Sequence, residues 1–387
     1  PVSAMETAPI KVDATYEVPF LAHATMEPMT CTAKVTPVSC EVWVPTQSAR
    51  MVQSAARAHT DLDLSSIEVH PTYLGGGFGR KGETDYAVHA VLAAKAVGKP
   101  VKVIWSREED IQHDHYRPVF KAELKGGIDD NKKIISWIGK SAGPSLMVGP
   151  FDFSSSGFAQ IPYDTPNLSA HNVVSNFGIP IGAWRSVGAS QNGFFIDSFV
   201  DELAHAAGED PLEFRRSHLN GRSLTVLEEV AEMANWGQPV VPGAAQGVAL
   251  ALHGASVLAQ IAEVSVDSGG EIRVHTVYCA LDCGGVVNPD IVEAQIEGAV
   301  IFGLTAALYG EIAIENGRVQ QSNFHDYPLL TMKDSPLVQI TIIKSDASPS
   351  GVGEIGVPPI APAVTNAIFA ATGHRVRYLP ISLYEFS

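Results

Sequence analysis

The chain has 387 residues and a formal net charge of −16 at pH 7, from 42 acidic against 26 basic side chains. Phosphate recognition needs clustered Lys and Arg, and the lack of such a cluster argues against nucleic acid as a partner. Hydrophobic residues make up 45% and charged residues 18% with no low-complexity run. This excludes a disordered chain and, at roughly 100 to 200 residues per domain, suggests two or three packed domains.

From the start of the chain, "PVSAMETAPIKVDATYEV" lacks an initiator Met and shows neither a charged n-region nor an apolar h-region. The expectation is a chain that was processed or separated from an upstream part, with any targeting signal lying there. No uninterrupted apolar run approaches the roughly 18 to 20 residues of a membrane helix, so no transmembrane segment is expected. Cys31, Cys40, Cys279 and Cys283 include no C-x-x-C pair. A zinc or iron–sulfur site needs several thiolates at tight spacing, and Cys279 and Cys283 in "VYCALDCGGVV" read as buried strand residues.

The first regular unit is a strand over "SSIEVHPTYL", a loop "GGGFGRKGET", a helix "YAVHAVLAAKAVGKP" ended by Gly98 and Pro100, and a strand "VKVIWS". "QHDHYRP" follows, placing His113 and His115 on one face of a strand, where they would hold a metal only if a third ligand converged. In "GIPIGAWRSVGASQNGFFIDSFVDELAHAAGEDP" a Gly-rich loop carries Arg185 and leads into an amphipathic helix. Phe195, Phe199 and Leu203 form one stripe of that helix and Asp197 and Asp201 lie off it. Alone, Arg185 would be read as the ion-pair partner of a carboxylate such as Asp201. A Pro/Gly-rich connection after "RRSHLNGRSLTVLEEVAEMANWGQ" marks a boundary, giving a first domain at 1–222 and a second at 223–387, with strands resuming at "LAQIAEVSV". The last unit is a strand "PLVQITIIKSD", a loop "ASPSGVGEIGVPP" and a helix "IAPAVTNAIFAATG" ending at Gly373. The class is α+β, with two mixed α/β domains and no internal repeat.

Gly77 to Gly82 fits the dinucleotide-binding pattern G-x-G-x-x-G, and so does Gly351 to Gly356. In the second copy Glu354 would repel a pyrophosphate, Pro358 and Pro359 delay the helix, and no acidic strand end follows. An NAD-dependent dehydrogenase is therefore only an alternative. Lys81 is preceded by Arg80 rather than Gly, with no Ser or Thr after it, so a phosphate-binding P-loop also fails. Taken alone, Glu354 reads as a carboxylate on an exposed turn, although glycines also mark a stretch built for conformation or close access. The apolar residues around Glu354 predict a pKa raised by desolvation. Gln47 taken alone is a strand-end amide.

Five stretches in order, "EVWVPTQSARMVQ", "GGGFGRKGETDY", "GAWRSVGASQNGFFIDSFVDELA", "DCGGVVNPDIVEAQIEGAV" and "GVGEIGVPPIAPAVTNAIFAATG", resemble the molybdenum-binding subunit of the xanthine dehydrogenase and aldehyde oxidase family, nearest to the isoquinoline 1-oxidoreductase β-subunit type. The resemblance runs from about Ala14 onward. It implies two molybdopterin-binding domains of mixed α/β type and a molybdenum hydroxylase that oxidises an aldehyde or an N-heteroaromatic carbon with water as oxygen source. Glu354 matches the family's active-site glutamate, a general base toward the hydroxide on the metal. Gln47 matches a glutamine that bonds the apical oxo ligand, and Gly77, Phe78 and Gly79 match the loop that passes the metal. Arg185, Gln295, Gly351 and Gly353 fall on the cofactor side. Glu83 and Val187 fall on the substrate side, although Gly82 stands ahead of Glu83 where the xanthine enzymes have no such residue. No metal ligand comes from the protein directly.

The implied cofactor is molybdopterin, in the cytosine dinucleotide form of bacterial relatives, with [2Fe-2S] clusters on a small partner subunit. The family's Met-Gly-Gln-Gly type anchoring segment has no match here, "AAQG" at Ala244 to Gly247 being a poor one, so another chain or segment is expected to carry it. A cytochrome c is a further candidate partner. The compartment is left open, leaning periplasmic or membrane-associated through partners. A non-catalytic assembly subunit of the same fold is the alternative from another functional class.

Overall fold

The computed structural model describes residues 1–146 and 157–386. A short helix α1 (Val2–Thr7) and strand β1 (Ile10–Val18) lead into β2 (Thr30–Val35) and β3 (Cys40–Val44), then helix α2 (Ala49–Thr60) and β4 (Ile67–Pro71). Helix α3 (Asp85–Val97), β5 (Val101–Ile104), α4 (Arg107–Gln112), β6 (Phe120–Ile128), β7 (Ile134–Gly143) and β8 (Leu168–Val174) follow. Helices α5 (Gly188–Ala206), α6 (Pro211–His218) and α7 (Gly221–Met233) separate these from β9 (Ala245–His253), β10 (Ser256–Val266) and β11 (Ile272–Asp282). The chain closes with α8 (Pro289–Tyr309), the short pair β12 (Ile314–Glu315) and β13 (Arg318–Val319), β14 (Leu337–Ile342) and α9 (Ile360–Thr372).

These strands form three four-stranded mixed sheets, ordered β4-β3-β2-β5, β1-β6-β7-β8 and β14-β11-β10-β9. The first has its own core, where Val42, Val44, Cys31 and Cys40 meet Val52 of α2 and Tyr86 and Ala90 of α3. The other two share one apolar cluster that also takes in α5, α8 and α9 and so runs across residue 222. β9 and β10 are buried along most of their length, which is why "VLAQIAEV" reads as a continuous run rather than an alternating one. β9 itself lies where the sequence suggests a connection.

Helix α5 departs from the amphipathic expectation. Asp197 and Asp201 lie off the Phe stripe but are only 1% and 3% exposed, because α5 is packed on nearly every side. Asp197 accepts from Tyr163 Oη at 2.8 Å and from Arg215 Nε and Nη2 at 3.1 Å. Asp201 pairs with Arg375 at 2.6 Å and Arg215 at 3.5 Å. Buried carboxylates persist only when paired in this way.

The histidine expectation also changes, whereas the burial expected of Cys279 and Cys283 does not. His113 ends α4 and His115 follows in a loop beside Asp85 and Glu83, so the two do not share a strand. All four cysteines are buried and unpaired with one another, and burial pushes the Cys31 thiol up to about 12. The 21-residue α8 is by length and composition apolar enough to cross a membrane, and with 44% of its apolar stretch buried against the rest of the chain it equally fits a core helix.

Removing one member of a buried ion pair strands the other charge, at a cost of about 3–5 kcal/mol. Arg215→Met is expected to lower the unfolding free energy by about that amount in a urea titration. A loss under about 1 kcal/mol would show that Asp197 and Asp201 do not depend on it.

Candidate active site

Four loops and one helix converge on a single cavity of about 470 Å³. Its walls come from Gln47 after β3, Gly77 to Gly79 between β4 and α3, Arg185 and Val187 ahead of α5, Gln295 on α8, and Gly353 and Glu354 between β14 and α9. Residues more than 300 apart in sequence thus face one space.

The loop before α3 is shaped by backbone rather than by side chains. Phe78 has φ 54° and Gly79 φ 111°. A Cβ on Gly79 would sit 1.5 Å from the Ala183 carbonyl oxygen, so only glycine permits this approach. Gly79 N–H donates to Gln47 Oε1 at 3.1 Å, which leaves the Gln47 Nε2 amide to donate toward the cavity. Behind the loop, Arg80 is paired with Asp85 at 2.6 Å and Asp114 at 2.9 Å, and fully buried Lys81 is paired with Glu27 at 2.5 Å. The two cations of "GRK" therefore hold the loop from inside and present no charge to a phosphate.

Arg185 does not pair with Asp201. Its Nε donates to the Gly353 carbonyl at 2.6 Å, and Nη2 to the backbone and side-chain oxygens of Gln295 at 3.2 and 3.3 Å. Its guanidinium also lies 5.9 Å from the centre of the Phe78 ring, within the range of a cation–π contact. Burial pulls its pKa down. The next two residues are strained: Ser186 has φ 76° and Val187 φ 47°. Positive φ at a β-branched residue is an outlier of the kind that clusters at functional sites.

Glu354 is held at both carboxylate oxygens. Oε1 accepts from Ser186 N–H at 3.1 Å and Oε2 faces His253 Nε2 at 2.8 Å, while Ser186 Oγ donates to the Glu354 carbonyl at 2.6 Å. The His253 hydrogen bond outweighs burial and, with Ser186 N–H and the Arg185 charge, holds the carboxyl below the usual glutamate range. This reverses the expectation from the apolar sequence around it, which counted desolvation alone. None of the glycines at 351, 353 and 356 has a positive φ. Gly356 is needed for close approach, a Cβ there lying 2.7 Å from that of Ala299.

Two expected residues lie elsewhere. Glu83 does not line the cavity; its carboxylate is 4.0 Å from His115. Gly351 also lies off the cavity, its carbonyl accepting from Ser256 Oγ at 2.8 Å. Sequence reasoning in turn missed His253, Ser186 and Trp184. Trp184 and Phe78 both stack on Phe302, at 4.5 and 4.3 Å between ring centres. They separate this cavity from a second, more apolar one of about 470 Å³ lined by Met26, Phe302, Tyr327 and Leu329.

The first cavity suits a group that arrives with its own ligands. Among the described residues no cluster of three or more His, Cys, Asp or Glu side chains converges. The cavity offers amide and guanidinium donors and one carboxylate, and a Cβ at Gly353 would come within 3.6 Å of Gln295 Oε1.

A molybdopterin cofactor-binding domain model matches residues 1–219 and a second such model matches residues 201–336. The chain is 32% identical over 360 residues to the β-subunit of isoquinoline 1-oxidoreductase from Brevundimonas diminuta, covering 89% of this chain and 46% of the relative. It is 30% identical over 410 residues to a nicotinate dehydrogenase subunit of Pseudomonas putida, covering 96% and 34%. The chain thus spans half or less of the length of these relatives. In fold it is similar to quinoline 2-oxidoreductase from Pseudomonas putida 86, with a TM-score of 0.87 at 16% identity over 98% of this chain and 76% of that one. The aldehyde oxidoreductase of Desulfovibrio gigas gives a TM-score of 0.83 at 15% identity over 98% and 61%.

Two glycines of one loop separate backbone necessity from convenience. Gly79→Ala is expected to cost about 3 kcal/mol or more from overlap and strain. Gly82→Ala meets nothing within 4 Å and has no positive φ, so it should change stability by under about 1 kcal/mol. Thermal melts of the two variants check this, and equal effects would contradict the loop geometry.

Proposed function

Because this chain belongs to the molybdopterin cofactor-binding domain family, we propose that it forms the molybdenum-binding part of an oxidoreductase acting on an aldehyde or an N-heteroaromatic carbon. The observation that carries the proposal is the placing of Glu354 in one cavity with Gln47, Arg185 and Gln295. When bound, molybdopterin supplies the two-electron redox centre and the activation of water. The Gln47 Nε2 amide and the backbone of Gly77 to Gly79 hold the group on one side; Gln295 and Gly353, tied together through Arg185, hold it on the other. Glu354, ionised and open to the cavity, accepts the proton that the attacking water-derived oxygen must lose. Val187 shapes the space for substrate; Glu83, outside the cavity, could reach substrate only if its loop moved.

The proposal extends to the setting. The cofactor is taken as the cytosine dinucleotide form, with electrons leaving to [2Fe-2S] clusters on a small partner subunit, and a cytochrome c as an acceptor beyond it. A Met-Gly-Gln-Gly type anchor would come from another chain or segment, a view supported by relatives at least about twice as long. The division at 1–222 and 223–387 belongs to the same proposal and is supported by the two family models meeting at residues 201–219. An NAD-dependent dehydrogenase fits poorly, since Arg80 and Lys81 are engaged in buried pairs and the second glycine pattern carries Glu354.

Glu354→Gln keeps the size and removes proton acceptance, so turnover in the cofactor-loaded complex should fall by about 10² to 10⁴ with metal content retained. In the wild type the ionised carboxylate is the active form, so the rate should fall as pH drops through its pKa. That midpoint should lie below the roughly 4.3 of a free glutamate, if the complex survives the acid. Turnover of the loaded variant within a few-fold of wild type would remove Glu354 from this role.

Gln47 tests cofactor holding separately. It is exposed to the cavity, with only its Oε1 engaged by Gly79. Gln47→Ala should therefore lower molybdenum retention on gel filtration while the melting temperature of the cofactor-free chain stays nearly unchanged. Unfolding without any change in metal content would instead mark Gln47 as a structural amide.

A further inference from the structure

The β9–β10 hairpin meets the Glu354 loop at four points. His253, the last residue of β9, lies 2.8 Å through Nε2 from Glu354 Oε2. Ala255 N–H donates to Ser350 Oγ at 3.1 Å, Ser256 Oγ to the Gly351 carbonyl at 2.8 Å, and the buried Gln260 amide to the Gly356 carbonyl at 3.1 Å. The hairpin is fixed in turn by Arg222. Its Nη1 donates to the Ala255 carbonyl at 2.8 Å, and its Nε and Nη2 form a two-point pair with Asp282 at 2.6 and 2.7 Å. The loop is therefore stitched on both sides of Glu354 to one rigid corner of a sheet.

His253 does not line the cavity, so it reaches the carboxylate from outside the space a ligand would fill. Its side chain is 25% exposed, and that of Glu354 44%. A glutamate with that freedom would sample several rotamers unless something held its far oxygen. Ser186 N–H already fixes Oε1.

We propose that His253 is the positioning residue of Glu354: a hydrogen bond from Nε2–H to Oε2 sets the direction of the carboxylate and leaves it ready to accept a proton on the cavity side. This rests on the reading of Glu354 as the base. The charged or titratable groups facing the carboxylate are His253 from β9 and Arg185 from the loop before α5, and both favour its ionised form, against burial. The hydrogen bond of His253 is the largest of these influences, so its loss should raise the pKa of Glu354.

The test uses His253→Ala, His253→Gln and His253→Asn, with Glu354→Gln as reference. Glutamine can place an amide near the position of Nε2, whereas asparagine is too short. In the cofactor-loaded complex, His253→Ala and His253→Asn should move the acid limb of the kcat profile up by about one pH unit, which is a tenfold change in the protonation equilibrium. KM should change by less than a few-fold, and His253→Gln should restore the limb. The second readout needs no cofactor: in the chain labelled with ¹³C at glutamate carboxyls, the signal lost in Glu354→Gln should titrate at higher pH in His253→Ala and His253→Asn than in wild type.

The outcomes separate the two ideas. If Glu354→Gln abolishes turnover but neither the acid limb nor the carboxyl titration responds to His253→Ala, His253 is not a positioning residue and the base assignment stands. If the carboxyl titration moves as expected but Glu354→Gln remains active, the contact is real and the base assignment fails. Should His253→Ala not fold, a failure of His253→Gln to differ from His253→Asn in titration would overturn the inference by itself.

Discussion

Arg185 turns its guanidinium toward the backbone of Gly353 and toward Gln295 instead of toward a carboxylate, and the arrangement of the cavity follows from that choice. A guanidinium offers donors in a rigid planar fork, so one side chain can fix two separate segments at once. Here the segments are the Glu354 loop and helix α8, while the loop carrying Arg185 leads straight into α5. With Ser186 then bonding Glu354 through both its N–H and its hydroxyl, the carboxylate is positioned relative to the donors on the opposite wall.

Such a junction carries strain. Phe78, Ser186 and Val187 all hold positive φ, at about 1–3 kcal/mol each for residues that are not glycine. The strain persists because its surroundings are over-determined. α5 begins right after Val187 and is packed on almost every face, with Asp197, Asp201 and Glu202 neutralised by Arg215, Arg375 and Arg377. The loop of Phe78 is fixed from below by the buried pairs of Arg80 and Lys81. Buried pairs thus anchor both the loop of Phe78 and the helix that follows Val187, so a conformational alternative at either turn would have to work against them.

What was legible in the sequence depended on how local the cause was. Glycine-rich loops between strand and helix patterns announced two walls of the cavity, and Gln47, Phe78, Arg185, Gln295 and Glu354 do face one another. The depth of Asp197 and Asp201 was not legible, because what makes them tolerable is Arg215 and Arg375 from other helices and loops. Periodicity reports which side of a helix is most apolar; it does not report that the opposite side is also covered. His253 was invisible for a related reason. It ends a strand 101 positions from Glu354, and nothing in "ALALHGAS" marks it apart from an ordinary histidine at a hairpin. The sign of the Glu354 pKa shift was missed with it, since desolvation can be guessed from apolar neighbours in sequence but a hydrogen-bond donor from a distant strand cannot.

A carboxylate held this way trades strength for readiness. A base whose pKa lies below that of a free glutamate is ionised at any pH above the acid range, but it draws a proton less strongly than one tuned near neutrality. The geometry supplies a compensating feature. When Glu354 takes up a proton, its charge is lost, and the bonds to Ser186 N–H and His253 Nε2 both weaken from charge-assisted to neutral, about half as strong. Arg185 loses its favourable interaction in the same step. Each of these losses raises the free energy of the protonated form, so the proton is readily given up again once the reacting atom no longer holds the site. In the proposed role, the donors that make Glu354 a modest base would therefore also make it a base that resets, as a side chain acting once in every turnover requires.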